Sequence, residues 1–194
     1  MRTSIGRFFV CSAFLLQILI THDVIAQSIA VEAGENNINL VYESADVDDD
    51  DSPLRLDGQL LYSKQNNHQD LFTSVSFAAF TGGTNRIELG AGVRIIAADP
   101  LDYYLTAMAM GVELAYRPAT TPKFKFKTSL YYAGEALTFS NGENVAFLMV
   151  NMDYEIASDT FIRLGYRRIK AELNNDLTID FDRGAYLGLL WAYK

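Results

Sequence analysis

The sequence predicts an all-β chain that closes into an antiparallel transmembrane β-barrel of about eight to ten strands. Three observations carry this prediction: an export signal at the N-terminus, apolar residues at every second position in segments of roughly ten residues, and an aromatic-rich last segment. After residue 26 no apolar run approaches the roughly 20 residues that a spanning helix needs. An α-helical membrane protein is therefore not expected.

The first 26 residues have the three zones of a secretory signal peptide. Arg2 and Arg7 form a basic start, Phe8–Ile20 is almost entirely apolar, and small or branched residues precede Ala26. We therefore expect residues 1–26 to be a signal peptide that is cleaved after Ala26 on export.

Residues 27–194 are predicted to form a single barrel domain without cysteine. The only cysteine, Cys11, leaves with the signal, so neither a disulfide nor a thiolate metal site is expected. The chain has 16 basic and 24 acidic residues and a net charge of −8, and removal of the signal, with two arginines and one aspartate, makes it −9. This acidic balance argues against a nucleic-acid partner.

The clearest alternation runs over residues 103–116. One face carries bulky side chains between Tyr104 and Tyr116, including Met108 and Met110, and the other carries small residues and Glu113. A bulky apolar face framed by tyrosine is typical of a lipid-facing strand with aromatic girdles. A soluble barrel that binds an apolar ligand would need its bulky faces to point inward, so it remains only an alternative.

The same period of two recurs along the chain and predicts nine strands. They lie near residues 28–43, 54–62, 70–80, 86–97, 103–116, 123–135, 143–156, 160–172 and 180–193. Because bacterial single-chain barrels have even strand numbers, the first segment either folds back near Glu35-Asn36-Asn37, which gives ten strands, or is partly a lead-in, which gives eight.

The last strand carries a pattern similar to the signal that outer-membrane barrels present to their assembly machinery. The residues are Tyr186, Gly188, Trp191 and Tyr193, with Lys194 after the last aromatic as a departure from the pattern. The barrel-assembly machinery and outer-membrane lipids are therefore the expected partners, and the bacterial outer membrane is the expected location.

The C-terminal third resembles the YfaZ family of predicted outer-membrane proteins. The segments that carry the resemblance are Tyr131-Tyr132-Ala133-Gly134-Glu135-Ala136-Leu137, Leu164-Gly165-Tyr166-Arg167 and Asp182-Arg183-Gly184-Ala185-Tyr186-Leu187-Gly188. Gly134 stands where proline is common in the family, and the acidic insert Asp46–Asp51 departs from a short connection. The resemblance implies the fold and the location, and no biochemical activity.

Strand parity places ten charged residues inside the barrel. They are Arg55, Asp57, Glu88, Arg94, Glu113, Lys125, Lys127, Asp153, Arg163 and Arg167. Facing lipid, an Arg or Lys at the midplane would cost about 2–4 kcal/mol. These charges either pair and plug a narrow lumen, which we favour because barrels of about eight strands are just filled by side chains, or line a small polar pore.

Two polar segments could carry chemistry. His68 lies in a predicted polar loop with Ser63 and Asp70, where it could act as a general base, but a solvated loop histidine is favoured because nothing fixes the mutual geometry. The acidic run Asp46–Asp51 lacks the glycine and glutamate of an EF-hand loop, so a hydrated, self-repelling loop is favoured over a calcium site.

The resulting expectation is a small outer-membrane barrel of structural or interaction type, with a charge-filled narrow lumen, no enzymatic activity and no cofactor. A narrow porin-like channel for small solutes is the first alternative. A soluble periplasmic ligand-binding barrel is the second.

Overall fold

The computed structural model describes residues 27–44, 54–65, 68–81, 86–100, 103–174 and 177–193. The strands are β1 (Gln27–Gly34), β2 (Asn37–Glu43), β3 (Leu54–Gln65), β4 (His68–Phe80), β5 (Ile87–Ala98), β6 (Leu105–Tyr116), β7 (Phe124–Ala133), β8 (Thr138–Ser140), β9 (Gly142–Ala157), β10 (Thr160–Leu173) and β11 (Thr178–Tyr193). The predicted signal peptide and the acidic run Asp46–Asp51 lie outside the described residues.

The strands form one closed antiparallel β-barrel. Consecutive strands pair from β1 to β7 and from β9 to β11, β7 pairs with β9, and β8 pairs with β6. β1 pairs with β11 from Gln27 opposite Tyr193 to Gly34 opposite Tyr186. No edge is left between the first and last strands, so the ladder satisfies its backbone groups internally, as a chain surrounded by lipid requires.

The barrel has ten strand positions, because β7 and β8 share one. Both pair with β6: β7 along Met110–Tyr116 and β8 along Leu105–Ala107, with a 3-10 turn at Glu135–Leu137 between them. The sequence predicted one uninterrupted strand here, near 123–135. The choice between eight and ten strands is settled by the first segment, which folds back after Gly34 into β1 and β2.

Gln27 and Tyr193, the first and last residues that the structure describes, lie at one rim, which we call the terminal end, because ten antiparallel strand positions return the chain to its starting side. The rim with the β1–β2, β3–β4, β5–β6, β8–β9 and β10–β11 connections is called the opposite end. The prediction of a polar loop from Ser63 to Asp70 is wrong. The ends of β3 and β4 form a hairpin here, in which Gln65 pairs with His68 and Ser63 with Asp70. Strand ends that extend beyond the apolar band can be polar on both faces. Such a segment shows no alternation of apolar and polar residues, so the sequence does not distinguish it from a loop.

Bulky apolar side chains cover the outside of the barrel. Leu89, Met110 and Leu187 are 57%, 57% and 58% exposed, whereas inward-facing Ala109 is fully buried. This arrangement is the reverse of what a soluble ligand-binding barrel requires. Within the described ranges, no helix is long and apolar enough to cross a membrane.

Aromatic side chains frame this apolar surface at both rims. Those at the opposite end are Tyr62, Tyr103, Tyr104, Tyr132 and Phe139, and those at the terminal end are Tyr116, Phe126, Tyr154, Trp191 and Tyr193. Tyr104 and Tyr116 stand twelve residues apart, which corresponds to about 30 Å along the barrel axis at about 3.3 Å per residue and a strand tilt of about 40°. That height matches the hydrocarbon core of a bilayer.

The interior is divided into an apolar part and a charged part. The large apolar cluster fills the half towards the opposite end, and its bulkier members are Leu61, Phe72, Ile96, Leu105, Tyr131, Val145, Phe147, Met149, Ile169, Leu173, Ile179 and Phe181. A small cluster of Ala30, Val41, Phe161 and Leu190 lies towards the terminal end. The charged residues occupy the space between the large cluster and the terminal end.

Candidate functional site

The charged layer of the lumen is the candidate site, and strand alternation places its side chains there. None of the ten predicted lumen residues is more than 8% exposed, and Arg163 and Arg167 are fully buried. On each strand these residues alternate with outward apolar neighbours, because successive side chains point to opposite faces. What they do inside depends on how they pair.

Arg163 is the centre of the layer. Its Nε and Nη2 donate to the two carboxylate oxygens of Asp153 at 2.7 and 2.9 Å, and its Nη1 donates to Glu43 at 2.9 Å and to Glu32 at 3.3 Å. Asp153 stands directly across from it on β9. The two-pronged bond to Asp153 fixes the plane of the guanidinium, a geometry that an ammonium group cannot provide.

Arg167 lies four residues, or two inward positions, further along β10 and contacts the same acidic group. Its Nη1 donates to Glu32 at 2.7 Å, its Nε to Asp182 at 2.6 Å, and its Nη2 to Asn37 at 3.3 Å. Glu32 therefore bridges the two buried arginines, from β1 to β10 across β11. This arrangement ties the first strand to the last two.

Two further ion-pair groups lie nearer the β3–β7 wall. Lys127 donates to Asp57 at 2.8 Å and lies 3.8 Å from Glu43 and 3.9 Å from Glu113. Arg55 pairs with Glu88. Because Glu43 contacts both Lys127 and Arg163, the pairs form a network that crosses the lumen.

Three arginines stack on aromatic rings that themselves lie over glycines. Directly across the ladder, Gly90 faces Phe80, Gly111 faces Tyr131 and Gly165 faces Tyr186. The guanidinium carbon of Arg55 lies 4.0 Å from the Phe80 ring centre, that of Arg94 4.7 Å from Tyr131, and that of Arg167 4.7 Å from Tyr186. The missing Cβ leaves room for the ring to lie along the wall and present its face to the cation.

Arg94 differs from the other lumen arginines. Its hydrogen-bond partners are neutral: Ser74 at 3.1 Å, Ser76 at 3.2 Å and Gln59 at 3.4 Å. Its guanidinium carbon also lies 4.0 Å from the centre of the Phe147 ring. It marks the boundary with the large apolar cluster, to which Tyr131 and Phe147 belong. The two ring faces compensate its charge in part.

Several lumen residues were not singled out from the sequence. Glu32 lies on β1, and Asn37, Asn39 and Glu43 lie on β2. The sequence does not decide whether the chain folds back between these strands, so it does not assign their side chains to a face. Asp182 has the same parity as Tyr186 and therefore faces inward. The β10–β11 register shifts beside it, between Ile169 and Lys170, so the adjacent Phe181 is also buried. A β-bulge of this kind breaks the period of two, and the sequence pattern does not reveal it.

The four residues of the predicted assembly signal do not share one face. Tyr186 is buried in the lumen and its hydroxyl donates to Asn151, and a Cβ on Gly188 would lie 3.0 Å from the Glu32 side chain. Trp191 and Tyr193 point outward and are 42% and 43% exposed. The first two therefore belong to the interior network, and the last two belong to the aromatic rim.

The residues weighed for catalysis and metal binding are not gathered into a site. Ser63 and Asp70 face inward and are buried on paired strands, and the His68 side chain lies outside what the structure describes. Among the described residues, no group of three or more His, Cys, Asp or Glu side chains could hold a metal ion.

A closed antiparallel barrel with an apolar, aromatic-framed exterior and a charged interior is a transmembrane β-barrel. The family model described as YfaZ precursor matches residues 6–193. The chain belongs to the YfaZ family, and the description as a precursor agrees with a cleavable export signal.

Two solved structures are weakly similar to this chain. The outer membrane channel DcaP of Acinetobacter baumannii is 8% identical, with a TM-score of 0.44, over 84% of this chain and 54% of the channel, so the chain spans about half the channel's length. A protein from a study of in-meso crystallization of membrane proteins is 12% identical, with a TM-score of 0.36, over 88% of this chain and 83% of that one. No curated protein matches the sequence.

Proposed function

We propose that this protein is a small integral outer-membrane barrel of structural or interaction type, whose lumen is closed to ions and solutes. The observation that carries the proposal is the division of the lumen into a cross-connected ion-pair layer and a large apolar cluster. The ion pairs fill one part of the interior, and Phe72 and Phe181, with ring centres 5.5 Å apart, lie in the other.

The energetics favour a closed lumen. At an effective dielectric of about 20, opposite charges 4 Å apart attract by about 4 kcal/mol, so charges that already lie inside the barrel are held in contact around Arg163. A solute crossing the barrel would have to break these pairs and then part the apolar cluster, where a charged group has no polar partner. The ion-pair layer opposes conduction because its charges hold each other in place, and the apolar cluster opposes it because it offers an ion no polar partner.

The partners that follow from this proposal are outer-membrane lipids and the barrel-assembly machinery. The apolar exterior requires lipid, and the terminal strand has the pattern of an assembly signal. No catalytic role is assigned, since the buried acids and bases are engaged in pairing and the geometry around Ser63 and Asp70 offers no exposed nucleophile.

Planar-bilayer recording tests the closed lumen. Purified wild-type protein is expected to give no steady single-channel steps, because both layers block the path. A variant that combines Phe72→Gly and Phe181→Gly with Arg163→Ala opens both layers and is expected to leak, which shows that inserted protein would be detected. A steady, ion-selective current from the wild type would overturn the proposal and support a porin-like channel.

Cell fractionation tests the location. The protein is expected in the outer-membrane band of a density gradient, and its migration on gels should change on heating, as for closed barrels. Recovery in the soluble periplasmic fraction would contradict the proposed location.

A further inference from the structure

Two arginines face each other on the outside of the barrel. Arg168 on β10 and Arg183 on β11 are directly opposite in the ladder, and both are exposed. Cross-strand side chains at such positions have Cβ atoms about 5 Å apart, and like charges placed there destabilise the pair. The arrangement requires an explanation, since the chain supplies acids to the neighbouring arginine on the inside.

The neighbouring arginine on the inner face has acidic partners, whereas the two arginines on the outer face have none among the described residues. One residue before Arg168, Arg167 points inward and binds Asp182 and Glu32. On the outer face, no carboxylate of the described residues lies within ion-pair distance of Arg168 or Arg183. The nearby Lys170 is paired with Glu172 at 2.5 Å, and Asp180 stands across the ladder from Lys170. The two arginines therefore leave a local excess of positive charge.

The position of the pair along the barrel axis indicates what neutralises it. Towards the terminal end, the outer face of β10 reads Ile162, Leu164 and Tyr166, all exposed, and that of β11 carries Leu187 and Leu189. Arg168 is the next outward residue after Tyr166. The following outward residue, Lys170, lies in the same ladder row as Tyr132 of the opposite rim, through Ala146 on β9. Because interfacial aromatic residues mark the headgroup level of a bilayer, this row places the two guanidinium groups at the edge of the apolar band, within reach of lipid phosphates.

We infer that Arg168 and Arg183 form a binding site for the phosphate of an anionic lipid headgroup in the leaflet at the opposite end. The inference rests on the membrane insertion proposed above. Two guanidinium forks side by side can each donate to phosphate oxygens, and the anion removes the repulsion between them. Tyr166 provides a hydroxyl-bearing ring beside the same position, where the glycerol or sugar part of a headgroup would lie.

Native mass spectrometry of the protein released from lipid nanodiscs tests this site. Nanodiscs of phosphatidylcholine with a minor fraction of phosphatidic acid supply the probe, an exposed phosphate monoester. Wild-type protein is expected to retain phosphatidic acid at least tenfold more often than its share of the lipid, and an Arg168→Gln, Arg183→Gln variant is expected to lose that preference. Arg168→Lys with Arg183→Lys keeps the charge without the forks and should give an intermediate value.

The control removes two positive charges at the other rim. Arg86 and Lys123 are exposed at the terminal end, and Arg86→Gln with Lys123→Gln is expected to retain the lipid as the wild type does. Equal loss in the control, or no phosphatidic acid preference in the wild type, would overturn the inference. Failure of the wild type to enter nanodiscs, judged by heat-dependent migration, would instead refute the proposed membrane insertion.

Discussion

At the scale of single residues, the lumen is organised by buried charges with unequal numbers of partners. Arg163 contacts three carboxylates, whereas Arg94 is held by neutral groups and two aromatic faces. A buried charge is tolerated when its partners compensate for lost hydration, and removal of one partner leaves the others uncompensated. The best-connected arginine is therefore the most sensitive position.

Arg163→Ala is expected to lower the stability of the barrel strongly. It leaves Glu32, Glu43 and Asp153 close together without their shared cation, and breaking a buried ion pair in this way costs about 3–5 kcal/mol. The measurement is the temperature at which the folded band disappears in heat-dependent gel migration. Outward-facing Arg168→Ala on the same strand is the control and should shift that temperature little in phosphatidylcholine; equal shifts would show that the interior network is unimportant.

At the scale of elements, the barrel wall uses glycine to position aromatic rings. Gly165 lies opposite Tyr186, and a Cβ there would lie 2.4 Å from the ring and 2.8 Å from the backbone oxygen of Val150. The ring in turn supports Arg167. Strand-to-strand contacts and the charge network are thus coupled through the same three positions.

Gly165→Ala is expected to destabilise the barrel by about 1–3 kcal/mol, the usual cost of inserting a methyl group into a packed interior. Gly184→Ala on the neighbouring strand is a matched control, because a Cβ at Gly184 meets nothing within 4 Å. It should be neutral or slightly stabilising. The midpoint of urea unfolding in detergent micelles measures both variants, and equal losses would mean that the Tyr186 contact is unimportant.

The last strand closes the barrel against the first, and its outward aromatic residues carry the predicted assembly signal. Trp191→Ala with Tyr193→Ala is expected to leave export intact and to prevent insertion, so that the protein accumulates in the periplasm or is degraded. Membrane fractionation gives the readout. This pair avoids Gly188, where any added side chain would also strike Glu32.

The control for this variant lies in the same rim. Tyr154→Ala with Ile156→Ala removes two exposed apolar side chains from β9 at the terminal end. If recognition of the last strand is what matters, this control inserts normally. Failure of both variants would indicate that the aromatic rim anchors the barrel in lipid and is not read as a signal.

At the scale of the whole molecule, Gln27 is both the first residue after the predicted cleavage point and part of the strand pair that closes the barrel. β1 begins at Gln27, directly after the predicted cleavage point, and Gln27 pairs with Tyr193. A retained apolar leader would lie beside the closing seam between β1 and β11. The mature N-terminus therefore bears on how the barrel closes.

Mass spectrometry of protein extracted from membranes is expected to find Gln27, free or cyclised, at the N-terminus. This expectation rests on the order of basic, apolar and small-residue zones before Ala26. A mass that includes Met1 would contradict the predicted cleavage.

The alternation in the sequence is enough to predict most of the strands and, where it is regular, the face that each side chain occupies. Period-two alternation has a direct physical cause, the opposite orientation of successive side chains, so the inward direction of residues such as Arg163 and the outward direction of residues such as Leu164 follow without a structure. The YfaZ resemblance was also visible in the C-terminal third, and the family match confirmed it.

Only the tertiary structure decided the strand count, the interruption between β7 and β8, and the choice of partners inside. Glu32 binds Arg163 and Arg167 from more than 130 positions away in the chain, and such pairing depends on barrel closure and on how the strands are staggered. The bulge beside Asp182 and the opposed arginines on the outer wall have the same origin. A period of two assigns each residue to a face, and the register between strands determines which residues meet there.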